Sequence, residues 1–297
     1  QAGKPYLDGV TFTIVGDDNA RVLQLQGGQV DAIDFVPPNQ IDPLVASGAQ
    51  LQKVDGTAVG WLTLNEAIKP LDEANVRCAL AWAVDRDAIA KNVYFGNATA
   101  AKSIIPSSTA YYDANTNPIG YDLDKAKALL AQSSVPNGFD LEIHVPTGDS
   151  TRLAIAQIWG AALKQIGVNL KITQVEATTA QDLYNTEQYS VRISAWTNDT
   201  PDPDEMMGAG LDYNVQNALH TGYHSDATRD LVLAGRKELD PAKRQAIYSQ
   251  IQEKVNEDCP FIYTVEVPRL YATTGKVQGF APNAQGKYGF EDVWKQP

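Results

Sequence analysis

The residues best placed to do chemistry are Trp196, Asn198, Asp199, Asp202 and Asp204, which fall in the stretch Trp-Thr-Asn-Asp-Thr-Pro-Asp-Pro-Asp. Three carboxylates lie within six residues, and Pro201 and Pro203 fix φ between them, so the loop is stiff and strongly negative. An ordinary solvated turn has the same composition, because Asp and Pro are common turn residues. A pair such as Asp199 and Asp202 is also the minimum equipment for carboxylate-based hydrolysis. What singles the loop out is its position. The apolar-rich run 189–195 leads into it, which places its polar groups at the carboxyl end of a strand, where open α/β sheets gather their ligands.

The elements that must position this loop are read from periodicity and from start and stop signals. Residues 10–15 and 29–35 are β-rich, and Asp17-Asp18-Asn19 caps a helix over 20–25 that stops at Gly27-Gly28, a β-α-β unit. Residues 50–54 and 59–65 read as strands. Apolar positions 76, 79, 80, 83 and 84 give a helix with one buried face that continues to Gly96. After a loop-like stretch over 98–117, Asp122 caps a helix over 125–131. The strand 139–145 leads through a Ser150 cap into a helix over 151–166 that ends at Gly167. The strand 168–175 and a helix over 179–186 then precede the strand that delivers Trp196. Successive units of this kind predict a mainly parallel sheet. Beyond the acidic loop come helices over 226–239 and 241–257, the second opened by Asp240 with Pro241 at its first position. The strand 261–267 follows, and 269–272 extends it.

Composition excludes more than it selects. The chain has 297 residues, 43% hydrophobic and 20% charged, as in ordinary globular proteins, and is long enough for one large core or two modest ones. A net charge of −12 and a pI near 4.7 argue against nucleic acid and anionic membrane as partners, since both need clustered Lys and Arg. No run approaches the roughly 18 apolar residues of a membrane span. There is no Gly-x-Ser-x-Gly, no phosphate-binding glycine loop ending in Lys-Ser/Thr, no His-Glu-x-x-His and no Gly-x-Gly-x-x-Gly. His220 and His224 invite a metal reading, but a glycine lies between them and no third ligand stands out, so neither a metal nor a cofactor is expected. Cys78 and Cys259 lack redox-motif spacing and read either as a disulfide of an oxidising compartment or as two buried thiols.

Several passages together resemble a known family. They are Lys4-Pro5-Tyr6-Leu7-Asp8, Arg21 to Gly28, and Val30-Asp31-Ala32-Ile33-Asp34. To these add the charged helix Val76-Arg77-x-Ala79-Leu80-x-x-Ala83-x-Asp85-Arg86-x-x-Ile89, and Trp196-x-x-Asp199-x-x-Asp202-Pro203-Asp204. They resemble the dipeptide- and oligopeptide-binding proteins, the family 5 extracellular solute-binding proteins of ABC importers. The resemblance runs from about Lys4 to the end of the chain.

That resemblance implies an α/β, periplasmic-binding-protein-like fold of type II, comprising the second lobe and the carboxyl-terminal share of the first. Residues 1–62 would belong to lobe I, 63–262 to lobe II, and 263–297 would return to lobe I. Most of the first lobe, which precedes these passages in family members, is then expected to be lacking here. It implies a binder and not an enzyme: a peptide-like ligand captured between lobes by hinge closure and passed to ABC permease subunits. Such a protein would be a monomer at full length, either free in a periplasm or held outside the cytoplasm by a lipid anchor.

By the resemblance Asp199 pairs with the ligand's α-ammonium, a charge-assisted contact of about 1.5–3 kcal/mol. Asn198 and Trp196 frame it, and Arg152 is the candidate for a ligand carboxylate. Asp202 and Trp61 complete the ligand-binding candidates, with Trp61 read either as a core aromatic or as part of the cleft wall. Arg77 and Asp85-Arg86 read as structural ion pairs. The family also carries oligosaccharides, opines, nickel and glutathione, and Thr200-Pro201 departs from its usual loop. Two other classes remain: a carboxylate-based hydrolase, and an interaction domain that reuses the fold.

Overall fold

The computed structural model describes residues 3–56, 58–215 and 219–296. Helix α1 (Asp18–Gln26) opens on Asp17, whose carboxylate accepts the Ala20 amide at 2.8 Å and satisfies an otherwise orphaned first-turn donor. It buries Val22 and Leu25 against strand β1 (Ala32–Asp34), the short helix α2 (Ile41–Ala46) and β2 (Gln50–Val54). Both strands pair antiparallel with the late strand β9 (Arg269–Thr273), giving a three-stranded sheet in the order β1-β9-β2 with its own small core.

Residues 10–15, expected as the first strand of a β-α-β unit, join no ladder among the described residues. Val10, Phe12 and Ile14 are 43%, 69% and 99% exposed, so the alternating pattern is present but its apolar face is left largely open, with Phe12 meeting Phe290 edge-on at 5.9 Å. The parallel return expected after α1 is likewise replaced by the antiparallel pairing of β1 with β9.

The main core surrounds β3 (Ala58–Leu64), in which every residue is buried. With β4 (Thr99–Ala100), β5 (Asp140–Pro146), β6 (Asn169–Val175), β7 (Val191–Thr197) and β8 (Phe261–Glu266) it forms a six-stranded sheet in the order β4-β8-β3-β7-β5-β6. Only β5, β6 and β7 are mutually parallel; β3 is antiparallel to both β7 and β8, and β4 to β8. The mainly parallel sheet read from the sequence is therefore a mixed one. Helical crossovers generate the parallel part, and β3, β4 and β8 arrive from distant parts of the chain, where no local signal sets their direction. The chain joins the smaller sheet after β8, at Arg269.

Two helix readings change. The single helix expected from 75 onward is split into α3 (Ala74–Trp82) and α4 (Arg86–Asn92), because the Asp85 carboxylate accepts the Ala88 amide at 2.8 Å and starts a new helix. Arg86 is no ion pair: it donates to the carbonyls of Tyr263, Val84 and Gly120 and lies over the Tyr263 ring. After α5 (Leu123–Leu130), the helix α6 (Ser150–Lys164) is capped by Asp149 and not by Ser150. Helix α7 (Ala177–Asn185) links β6 to β7, and α8 (Asp204–Leu211), which the sequence did not signal, grows out of the acidic loop. Helices α9 (Asp226–Lys237) and α10 (Pro241–Asp258) pack together, and a Cys78–Cys259 disulfide ties α3 to the end of α10.

Candidate functional site

The order β7-β5-β6 creates a switch point. Helix α6 leaves β5 toward β6 and α7 returns from β6 to β7, so a crevice opens at the carboxyl ends of β5 and β7. A cleft of about 1260 Å³ lies there. Trp196, Asp199 and Arg152 line one wall, and Phe35, Arg269 and Tyr271 from the smaller sheet line the other.

The three carboxylates of the loop have separate tasks. Trp196 Nε1 donates to Asn198 Oδ1 at 2.8 Å, and Asn198 is only 2% exposed, so this inward hydrogen bond fixes the indole at the cleft edge. Asp199 turns outward: its amide donates to Glu205 Oε2 at 2.7 Å, while its carboxylate is 72% exposed and lies 3.1 Å from Lys287 Nζ. Asp202 faces away from the cleft and takes a two-pronged contact from Arg244, at 2.6 and 3.0 Å, while also accepting the Asp204 amide. Burial pushes the Asp202 carboxyl up, but the hydrogen bonds from Arg244 and the Asp204 amide together outweigh it and hold the group below the usual carboxylate range. Asp204 pairs with Arg236 at 3.1 Å. Asp199 thus lies at the cleft, and Asp202 and Asp204 fasten its loop to α10 and α9. The hydrolase pair is split, because Asp202 is spent on Arg244.

Loosening this fastening has a modest expected cost. Arg244→Ala should lower stability by about 1 kcal/mol, the scale of a partly exposed ion pair, and should weaken ligand binding through a mobile Asp199 loop. Urea midpoints and titration calorimetry on the same sample would check both; a variant as stable and as tight as wild type would remove the fastening role.

The remaining candidates separate. Arg152 sits in the first turn of α6, with its Nη1 2.6 Å from Asp149 Oδ2 and its Nε donating to the Ile193 carbonyl, and it reaches the cleft with its guanidinium partly engaged. Trp61 does not line the cleft. It is buried against Phe261, with ring centroids 5.6 Å apart, and its Nε1 donates to Thr63, as a central strand buried on both faces requires. His220 pairs with Glu187 and His224 stacks on Tyr213; among the described residues no group of three metal-ligating side chains comes together.

Arg269, which lines the cleft, and Lys287, which pairs with Asp199 at its edge, escaped sequence reasoning. Arg269 opens β9, donates to Thr197 Oγ1 at 2.9 Å, lies over the Phe35 ring, and has a buried Nε without a hydrogen-bond partner. Its signal was a lone cation in an otherwise apolar strand. Nearby, burial pushes Asp34 above its ordinary value against the pull of the Phe35 amide, Arg269 and Arg21, and pushes the Tyr271 phenol up to about 12. Lys287 lies on the segment after β9 and had no signal. Ser150 donates to Asp18 Oδ2 at 3.0 Å, so polar contacts between the two sides include Ser150 with Asp18, Thr197 with Arg269, and Asp199 with Lys287.

A type II periplasmic-binding-protein fold with its cleft at the switch point is the architecture of a solute-binding protein. The chain belongs to the bacterial extracellular solute-binding proteins, family 5, whose "Middle" profile matches residues 1–217. It is 28% identical to the dipeptide-binding protein of Escherichia coli over 98% of this chain and 56% of that protein. It is also 28% identical to the glutathione-binding protein GsiB of Pectobacterium atrosepticum, over 99% and 59%. Among solved structures it is similar to the ABC transporter-associated periplasmic binding protein DppA of Helicobacter pylori, in complex with the peptide STSA. There the TM-score is 0.84 at 26% identity, covering 95% of this chain and 56% of that one. The chain therefore spans little more than half the length of these relatives.

Proposed function

We propose that this chain is the carboxyl-terminal part of an extracytoplasmic solute-binding component of an ABC importer. It would capture a peptide-like ligand between two lobes, with Asp199 anchoring the ligand's ammonium, and hand it to the permease. The observation that supports this most is the setting of Asp199: an outward carboxylate at the edge of a 1260 Å³ cleft, already matched to an ammonium, that of Lys287, at 3.1 Å. An exposed ion pair of this kind contributes at most about 1 kcal/mol, so a ligand ammonium displaces Lys287 cheaply. Closure then removes water from the new contact and strengthens it. Arg269 on the opposite wall and Arg152 on the same wall offer positive charge to a ligand carboxylate. The disulfide suits a compartment outside the cytoplasm.

Titration calorimetry with dipeptides tests the reading. Asp199→Asn should weaken binding by about 10- to 150-fold, the worth of one charge-assisted hydrogen bond, and N-acetylation of the peptide should cost wild type a similar factor. Lys287→Ala should leave binding unchanged or slightly tighter. Equal affinity for free and acetylated peptides would mean that Asp199 is not the ammonium anchor.

A further inference from the structure

Behind Arg152, separated from the main cleft by that side chain and Ile193, lies a second cavity of about 260 Å³ between α7 and the sheet. Its floor follows from strand register. Ile143 of β5 pairs with Val191 of β7 and both point into the core, so the next residues, His144 and Arg192, leave the sheet side by side on the opposite face. Arg192 lies over the Tyr184 ring of α7, 3.9 Å from its centroid, and gives one N–H to Gln181 Oε1 at 2.9 Å. His144 Nδ1 is buried and has no hydrogen-bond partner.

The cavity gathers two guanidinium groups, of which Arg152 is paired with Asp149 from outside the lining. Arg152, Arg192 and His144 line it, and no Asp or Glu does so among the described residues. Two carboxylates beside these groups are already engaged: Asp149 with Arg152 at 2.6 Å, and Glu142, 4.0 Å from His144 Nε2, with Lys171 at 2.8 Å. Burial first, and then the like charge of Arg152, disfavour the charged form of Arg192, which Tyr184 only partly offsets. Two guanidinium groups and an unsatisfied imidazole nitrogen around one small cavity form an arrangement that an anion stabilises. Planar N–H forks suit the paired oxygens of a carboxylate or phosphate.

We propose that this cavity binds a small oxyanion, a carboxylate or phosphate group, held between Arg152 and Arg192 with His144 as a further donor. The volume is below that of ordinary small-molecule pockets, so it suits one such group and not a whole peptide. Because Arg152 lines both cavities, the oxyanion can be a free ion or an acidic side chain carried by a ligand in the main cleft.

Calorimetric titration of the protein with sodium phosphate and sodium acetate, against sodium chloride at matched ionic strength, tests the free ion. Saturable binding is expected, weakened about tenfold or more in Arg192→Gln and partly retained in Arg192→Lys, with the melting temperature of each variant recorded to confirm folding. A parallel series compares peptides bearing Glu with the same peptides bearing Gln; a preference for Glu that vanishes in Arg192→Gln assigns the oxyanion to the ligand's side chain. This second series rests on the peptide reading and the first does not, so phosphate binding without peptide binding would keep the cavity and discard the peptide. Oxyanion binding that is identical in wild type and Arg192→Gln overturns the proposal, as does the absence of both phosphate binding and the Glu preference.

Discussion

Reducing the Cys78–Cys259 disulfide should cost about 5 kcal/mol of stability at about 25 °C, the largest effect expected of any single covalent change in this chain. The bridge joins residues 181 apart, and in the chain-entropy account the constraint it places on the unfolded chain grows with the logarithm of the loop it closes. Both sulfurs are buried, Cys259 completely, at the point where α10 ends in a left-handed turn against α3. Little native packing has to change when the bond opens, so the loss arises mainly in the unfolded ensemble. Guanidinium unfolding of the oxidised protein, the reduced protein and Cys78→Ala/Cys259→Ala would measure it. The last two should agree with each other and fall well below the first. A difference under about 1 kcal/mol would show that the unfolded chain is compact enough for the bridge to constrain little.

How much of the molecule was legible follows from how far each signal reaches along the chain. Asp240-Pro241 starts α10 and Asp122 caps α5 as read, because caps act over three residues. The acidic loop was placed correctly after a strand, since an apolar run ending in Asn, Asp and Pro is a local pattern. Its inner arrangement was not legible. Asp202 looked like a ligand carboxylate because Arg244, which takes it, lies 42 residues away in another helix. Asp204 was counted as loop charge, although an acid also suits the first turn of a helix, and α8 was missed for that reason. Arg269 reaches the cleft, and Lys287 reaches Asp199 at its edge, through the antiparallel return of β9, which no periodicity announces. Residues 10–15 mark the opposite failure. Alternation describes a strand's faces, and without a partner strand, and with Phe12 and Ile14 still 69% and 99% exposed, the pattern stays outside any ladder among the described residues.

Arg77→Leu should cost about 3–5 kcal/mol near neutral pH, because it leaves a buried carboxylate without its cation. Arg77 Nη1 lies 3.0 Å from Glu66 Oε2, and the guanidinium also donates to the carbonyls of Leu71, Asp72 and Asp258, so one side chain satisfies four acceptors. Even with this partner Glu66 is held at about 7: burial raises it, Asp258 and Asp72 raise it further, and Arg77 offsets only part. The sign of the pH effect follows. A folded value of about 7 above an unfolded value of 4.5 means that the native state holds the proton more tightly. The resulting stability is fully present below about pH 4.5 and is lost as pH rises through 7, a span of about 3 kcal/mol. Urea midpoints of wild type at about pH 5 and pH 8 should therefore fall with pH. Glu66→Gln should flatten that component, and Arg77→Leu should steepen the decline while keeping a pH-independent deficit in acid, where Glu66 is neutral but the carbonyls of Leu71, Asp72 and Asp258 have still lost their donor. If Glu66→Gln kept the wild-type slope, the titrating group would lie elsewhere. Because Arg77 precedes Cys78 and Asp258 precedes Cys259, the bridge and the buried pair brace one corner between α3 and α10. Opening the disulfide should admit water to Glu66 and lessen the pH dependence together with the stability.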